Sequence, residues 1–195
     1  MNCGSINPVL GAIDKENGEF WVENPFQLAQ HDENLSAYEK NRLFLNNGKM
    51  EFVDASFCSG ADLDSDSRSA VVSDFDLDGK PDLLVGSAGG GALRLFRNTF
   101  PDENNWIRLR LQGTTSNRYA IGSRVVLQVG ERKIVRDLFP VNGFQGQSPC
   151  ELLIGIGKSD FIDQLTIRWP TGAMQSYQKL PSDQTYRITE EKKPW

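Results

Sequence analysis

Residues suited to nucleophilic or redox chemistry are scarce in this sequence. It has a single histidine, His31, and three cysteines, Cys3, Cys58 and Cys150. One histidine would confine any Ser-His-Asp or Cys-His arrangement to a polar, unpatterned segment. Three cysteines define neither a disulfide framework nor a zinc pattern, although a Cys58–Cys150 bridge stays open as an alternative. We therefore predict no catalytic and no cofactor-binding residues, and the thiols do not identify the compartment.

Long apolar runs and an export leader are also missing. No apolar stretch approaches the ~18 residues that a membrane span needs. Residues Met1–Ser5 carry neither the basic region nor the apolar core of a signal peptide. We expect no membrane-spanning segment, and we expect the chain to be part of a longer protein.

The net charge of −5 is unevenly distributed. Residues 1–100 carry 16 acidic and 8 basic side chains, whereas residues 101–195 carry 10 acidic and 13 basic ones. Between Asp54 and Asp82, eight aspartates face only Arg68 and Lys80. Because clustered carboxylates repel one another, a cation is the expected partner there. The arginines of the second half stand singly within strand patterns, which indicates no nucleic-acid partner.

Short β-type runs separated by turns fill the chain after residue 40. Residues 1–40 form a polar, poorly patterned segment. Residues 41–100 contain a strand pair and then a meander of three strands near 70–75, 82–86 and 93–97. The segment 100–105 reads as a domain boundary. Residues 101–195 hold about seven strands spaced ~10 residues apart, which is typical of a small antiparallel β-sandwich. We predict an all-β chain with little helix.

The most specific feature is an acidic loop within the meander. Gly79, at its sixth position, permits the positive φ that a tight reversal needs, and Lys80, at its seventh, offers a backbone carbonyl. Calcium takes about six to eight oxygen ligands, which alternating aspartates can supply from one segment. The aspartates stand at loop positions 1, 3, 5 and 9, as Asp74, Asp76, Asp78 and Asp82.

The flanks of this loop decide its type. An EF-hand needs an acidic residue at position 12 and helices on both sides. Position 12 here is Val85, and both flanks are β-like. The loop therefore joins two strands, and a solvated acidic turn is the alternative to a metal site. We predict a calcium ion bound by Asp74, Asp76, Asp78, Lys80 and Asp82.

A second acidic cluster spans Asp62–Asp66. Its acids also alternate, but Ser67 stands where the glycine of the first loop would be. We expect a solvated loop there, and a second, weaker calcium site is the alternative.

Two segments resemble known families. Val72–Gly86 resembles the FG-GAP/VCBS repeat, one blade of an integrin-type β-propeller, and Arg42–Ser56 resembles the strand and linker before such a repeat. Residues 106–189 resemble the ASPIC/UnbV domain through Trp106–Leu111, Ser116–Val125, Gly155–Gly157 and Leu165–Gly172. In this order the segments resemble the C-terminal portion of the UnbV-like and cartilage acidic protein-like family. Gly143–Cys150 departs from the family pattern, and residues 1–40 match nothing familiar.

The resemblance implies a secreted or cell-surface, calcium-binding module that is not an enzyme. Calcium would then act as a structural clip for a β-hairpin loop. A propeller needs at least about four blades to close. One to one-and-a-half blades therefore belong to a longer propeller protein, which we favour, or they pack against the sandwich or a partner that covers their open strand edges. A protein or a polysaccharide is the expected partner.

The sequence is also compatible with two other functions. A carbohydrate-active or hydrolytic enzyme would need convergent carboxylates, and the sandwich offers Asp137, Glu151, Asp160 and Asp163. Alternatively, the basic half would recognise an acidic polymer or a neighbouring acidic domain through Arg108, Arg110, Arg118 and Arg124.

Overall fold

A computed structural model describes residues 40–63, 65, 67–87, 92–101, 104–141, 143–144 and 146–191. Within these ranges the chain is almost entirely β, with one short helix, α1 (Ser56–Ser59), so the predicted all-β fold is confirmed. The strands are β1 (Phe44–Asn46), β2 (Phe52–Asp54), β3 (Ser67–Ser73), β4 (Asp82–Ser87), β5 (Arg94–Phe96), β6 (Asn105–Gln112), β7 (Arg124–Val129), β8 (Arg132–Asp137), β9 (Leu152–Gly157), β10 (Phe161–Arg168), β11 (Met174–Pro181) and β12 (Gln184–Thr189).

The described residues fall into two compact units. One holds those up to Arg68 together with Gly86–Leu93, and the other holds Ser69–Val85 together with those from Arg94 onward. The acidic loop therefore belongs to the same unit as the β-rich second half. The domain limits predicted near residues 41 and 101 stay predictions. Among the described residues, no helix has the length and apolar character to cross a bilayer.

The first unit contains the β1–β2 hairpin, in which Leu45 lies opposite Val53. Its turn follows the predicted Asn-Asn-Gly segment: the Gly48 amide donates to the Asn46 side chain at 2.8 Å. The hairpin strands are exposed throughout.

Strands β3, β4 and β5 form a three-stranded sheet in that order, as the meander predicts. The β4–β5 pair is antiparallel, with Leu84 opposite Leu95. The acidic loop connects β3 to β4, so its position between two strands is also as predicted.

The second half forms a sandwich of two sheets. One sheet has the order β11-β10-β7-β8 and the other has the order β12-β6-β9. Strand residues alternate between the core and the outer face: Ile107 and Leu109 of β6 are fully buried, and so are Val125 and Leu127 of β7. The larger buried core side chains come from strands of both sheets and from the residues directly after β8 and β10, and they include Leu138, Ile154, Ile156, Ile162, Leu165, Ile167 and Trp169.

One strand pair departs from the antiparallel pattern that we predicted for the sandwich. The last strand, β12, pairs with β6 in parallel, placing Arg187 beside Arg110. Strand β6 is the central strand of its sheet because β9 pairs with its other edge. A parallel neighbour so distant in sequence leaves no turn signal, so the sequence does not predict it.

A buried glutamate after β12 holds the loop that follows β6. Glu190 is 3% exposed, and one of its carboxylate oxygens accepts hydrogen bonds from the amides of Thr114, Thr115 and Ser116 at 2.7–3.0 Å. The other oxygen accepts from the hydroxyls of Ser116 and Thr171 at 2.9 and 2.8 Å. Desolvation acts to raise the pKa of Glu190, but these hydrogen bonds outweigh it and lower the pKa to about 2.

We expect Glu190→Gln to lower the free energy of unfolding by about 2–4 kcal/mol at pH 7, because charge-assisted hydrogen bonds to buried donors are lost. A depressed pKa stabilises the fold above the unfolded-state pKa and ceases to do so as the pH falls through the folded-state value. The difference between variant and wild type should therefore shrink between about pH 4.5 and pH 2.

Urea unfolding at pH 7 and at pH 3 measures this difference. Glu131→Gln, at an exposed position in the turn between β7 and β8, is the matched control and should change stability little. Equal effects of the two variants at pH 7 would show that Glu190 does not hold the loop.

Candidate functional site

The acidic loop brings three carboxylates together. Oxygens of Asp74, Asp76 and Asp78 all lie within 4.8 Å of one another. Calcium binds oxygen at about 2.3–2.6 Å, so oxygens on opposite sides of one ion lie roughly 5 Å apart. The spacing of the three carboxylates is therefore compatible with a single calcium ion.

Backbone hydrogen bonds within the loop fix these side chains. Asp74 accepts from the Asp78 amide at 3.1 Å and from the Gly79 amide at 2.8 Å, and Asp78 accepts from the Lys80 amide at 2.9 Å. Gly79 has a φ of +88°, which confirms the predicted positive value, and Leu77 has an unpredicted φ of +65°. The loop is thus a compact reversal stabilised by its own aspartates.

Asp82 plays a different part from the other three acids. Its two oxygens accept hydrogen bonds from the backbone amides of Phe75, at 2.9 Å, and of Asn98, at 2.8 Å. The Lys80 ammonium donates to the Phe100 carbonyl at 2.7 Å. Asp82 therefore closes the base of the loop, because its side chain binds the amide of Phe75, which lies 7 residues earlier in the sequence.

An arginine from the end of the meander neutralises the exposed side of the cluster. Arg97 lies 2.5 Å from Asp76 and 3.7 Å from Asp78. Partial desolvation acts to raise the pKa of Asp76, but hydrogen bonds from Arg97 and the Asp78 amide lower it overall. Arg97 is an addition to the predicted set of site residues. Its place directly after β5, in the same meander as the loop, is the sequence feature that indicates it.

A second arginine neutralises the buried side. Asp74 has a fully buried side chain and is paired with Arg108 of β6, whose side chain is 4% exposed. The Arg108 Nε lies 3.4 Å from a Glu151 oxygen, and it makes no hydrogen bond among the described residues. Glu151 in turn accepts a hydrogen bond from Arg110 at 2.7 Å. An alternating chain of charges, Asp74–Arg108–Glu151–Arg110, therefore leads from the loop along the sheet.

The loop also packs on an aromatic ring. A Cβ atom added at Gly79 would overlap the indole of Trp106, the residue two before Arg108 on β6. The Arg108 guanidinium lies 5.3 Å from the centre of that indole, within the range of a cation–π contact. Gly79 thus serves two purposes, a positive φ and a close approach to Trp106.

The carboxylates of the predicted enzyme alternative are each paired with other groups. Asp137 and Glu151 line one cleft of about 250 Å³ beside Asp74. Asp137 makes a bidentate pair with Arg124 at 2.7 and 2.8 Å, which lowers the pKa of Asp137. The two remaining acids lie elsewhere: Asp160 accepts from the Asn105 side chain at 3.4 Å, and Asp163 pairs with Lys179 at 2.7 Å.

The four arginines predicted to contact an acidic partner do not form one surface. Arg108 is buried with Asp74, and Arg124 is paired with Asp137. Arg110 and Arg118 do line a common cleft, together with Arg187, which was not among the predicted arginines.

Other predicted features lie partly outside the described residues. Asp64 and Asp66 of the second acidic cluster, and His31, are among them. Asp62 lies 3.5 Å from the ammonium of Lys40. Cys58 and Cys150 are both free thiols.

Residues 113–194 match the family model described as ASPIC and UnbV. The chain is also similar to cartilage acidic protein 1 from Homo sapiens, with 34% identity over 112 residues that cover 54% of the chain and 16% of the relative. The Mus musculus protein of the same name is 33% identical over 112 residues, 54% of the chain and 17% of the relative. The chain therefore spans about a sixth of the length of these relatives.

We expect Arg108→Met to lower the free energy of unfolding by about 3–5 kcal/mol, because it leaves Asp74 buried without its counter-charge. Arg97→Gln, which removes an exposed partner of the same loop, should cost less than about 1 kcal/mol. Chemical denaturation of both variants makes the comparison. A small effect of Arg108→Met would contradict the importance of the buried pair.

We expect Gly79→Ala to be much more destabilising than Gly172→Ala. Both glycines have a similar positive φ, +88° and +84°, but an added Cβ has open space at Gly172 and overlaps Trp106 at Gly79. The positive φ costs an alanine about 1 kcal/mol at either position. Any further loss of stability in Gly79→Ala measures the overlap of the added Cβ with the Trp106 ring. Similar melting temperatures for the two variants would show that this packing adds nothing.

Proposed function

We propose that the chain is a calcium-binding, non-catalytic interaction module of an extracellular or cell-surface protein. Calcium held by Asp74, Asp76 and Asp78 clips the loop between β3 and β4. The approach of the three carboxylates within 4.8 Å of one another carries this proposal. The Lys80 carbonyl and Asp82 are the further ligands that the loop numbering suggests.

The donor set favours a hard cation. All the converging groups are carboxylates, which suit calcium, magnesium or manganese better than softer metals. Calcium tolerates irregular coordination, whereas magnesium demands near-ideal octahedral geometry and keeps several waters. A loop built from one short segment is better suited to the more permissive ion.

The surroundings of the loop indicate a structural role for the ion. Asp74 is buried and paired with Arg108, and Asp82 is bound to two backbone amides, so two of the four acids already hold the loop in place. Calcium would neutralise the repulsion that remains among the three converging carboxylates. The surface that recognises a partner then lies elsewhere.

The similarity to the ASPIC and UnbV family and to cartilage acidic protein 1 supports an extracellular-type module. The sheet β3-β4-β5 with its acidic loop is in keeping with a blade of the FG-GAP/VCBS repeat type, and we propose that identity for it. Since the chain spans only about a sixth of those relatives, the remaining blades of a propeller would lie in other parts of a longer protein.

An enzymatic role is the second candidate, because Asp137 and Glu151 line one cleft. A general acid needs a pKa raised toward neutrality, whereas the bidentate pair with Arg124 lowers the pKa of Asp137. Glu151 is shared between Arg108 and Arg110. These pairings favour a non-catalytic module.

Thermal melting in calcium and in chelator tests the calcium site. A ligand that binds only the folded state stabilises it by about 2.7 kcal/mol at one hundred times its dissociation constant, so the melting temperature should rise with calcium concentration. Asp76→Asn should abolish this rise. Glu131→Asn, at an exposed acid in the turn between β7 and β8, should retain it.

Arg97→Gln distinguishes a metal site from a general charge effect. Arg97 pairs with two of the three carboxylates that calcium would bind, Asp76 and Asp78. Its removal should therefore strengthen calcium binding severalfold, because the cation no longer competes with a guanidinium. Calorimetric titration measures the affinity. No melting shift at millimolar calcium in either the wild type or Arg97→Gln would overturn the proposal.

A further inference from the structure

A basic cleft lies at the C-terminal ends of the neighbouring strands β6 and β12. Its volume is about 340 Å³, and three arginines, Arg110, Arg118 and Arg187, line it with the single carboxylate of Glu151. The cleft lining therefore carries an excess of positive charge. Tyr119, which is 60% exposed, also borders the cleft.

The parallel pairing of β12 with β6 creates this concentration of charge. Arg110 and Arg187 are direct neighbours across the two strands, and neighbouring strands are about 4.8 Å apart. Like charges directly opposite each other on a sheet destabilise it. Glu151 offsets Arg110, at 2.7 Å, but within the described ranges no carboxylate pairs with Arg187 or Arg118.

Hydrogen bonds hold the backbone of the loop that supplies Arg118. The Arg118 carbonyl accepts from the Gly113 amide at 3.1 Å, and the Asn117 carbonyl accepts from the Ala120 amide at 2.8 Å. The Asn117 side chain accepts from the Ile121 amide at 2.9 Å. The amides before Arg118 are held by Glu190, as described above. Arg118 therefore extends from a fixed backbone, which lowers the entropy cost of binding a ligand.

We propose that this cleft binds an oxyanion of the sulfate and phosphate class. Guanidinium groups match such oxyanions with paired N–H donors, and several of them can share one tetrahedral anion. The Tyr119 hydroxyl and the Thr189 side chain, which also lines the cleft, supply neutral hydrogen-bonding groups beside the charges. An anion at this point removes the repulsion between Arg110 and Arg187.

The cleft gives the proposed interaction module a class of ligand. It rests on the proposed function only because both assume a module that binds a partner. The cleft and the acidic loop are formed by different residues. Binding measured both in calcium and in chelator separates the two proposals: the calcium site fails if melting is unaffected by calcium, and the cleft fails if no anion binds in either buffer.

The experiment titrates the full chain with sodium sulfate and with heparin, a sulfated polysaccharide, at constant ionic strength, since exposed charges are strongly screened by salt. The wild type should bind heparin, and Arg118→Gln with Arg187→Gln should weaken binding by at least about tenfold, because charge-assisted hydrogen bonds are lost. Arg136→Gln, at an exposed arginine of β8, removes the same kind of charge elsewhere and should leave affinity within about twofold. Melting temperatures check that every variant is folded.

The thiol of Cys150, which lines the cleft, provides a local readout. In a Cys3→Ser, Cys58→Ser background, sulfate or heparin should slow the reaction of Cys150 with an anionic disulfide reagent at least severalfold. Removal of Arg118 and Arg187 should slow the reaction of Cys150 with the anionic reagent more than its reaction with a neutral reagent, because the arginines attract only the anionic reagent.

The possible outcomes decide between sources of the anion. If inorganic sulfate displaces heparin, the proposal is supported and the free ion is a sufficient ligand. If heparin binds but free sulfate does not, the proposal is supported and the ligand is a sulfate group carried by a polymer. If Arg136→Gln weakens heparin binding as much as the double variant does, the proposal is wrong and the protein attracts polyanions in general. If poly-glutamate binds as tightly as heparin, the proposal is also wrong, and an acidic protein is the better candidate for the ligand. No binding of either probe would also overturn it.

Discussion

The buried ion pair between Asp74 and Arg108 is the constraint on which the arrangement of this molecule depends. Burying two charges costs several kcal/mol unless they pair and fill their hydrogen-bonding capacity. Asp74 meets this condition through Arg108 and the amides of Asp78 and Gly79. The neighbours of Arg108 on β6, Ile107 and Leu109, point into the sandwich core. A single strand therefore supports the hydrophobic core on one face and the charged loop on the other.

The same pair connects the two surfaces to which we assign functions. Arg108 also approaches Glu151, and Glu151 binds Arg110 at the edge of the basic cleft. A cation in the loop would compete with Arg108 for Asp74, so Arg108 would depend more on Glu151. Glu151 would then neutralise Arg110 less. The chain of alternating charges thus provides a physical route by which a metal in the loop would increase the positive charge available in the cleft.

The sequence predicted local features well and distant pairings poorly. Alternating apolar residues such as Ile107 and Leu109 indicate a half-buried strand wherever the chain runs, and Gly79 indicates a positive φ from its place in the loop alone. The partners of the acidic loop depend on tertiary structure: Arg97 is 21 residues from Asp76, and Arg108 is 34 from Asp74. Both arginines sit in strand patterns where an exposed face is the simplest interpretation. Their pairing requires the loop to fold back on the sheet, and no local pattern encodes that.

The limits of a family match and the limits of a folding unit differ here for a physical reason. The ASPIC and UnbV match begins at residue 113, after β6 has ended. Strand β6 nevertheless lies between β9 and β12, and its Ile107 and Leu109 are fully buried in the shared core. Without it, β9 and β12 would lose their only described strand partner, and Glu190 would hold a loop with no strand before it. The compact unit that contains the family match therefore also contains β6 and the acidic loop, which Arg108 contacts.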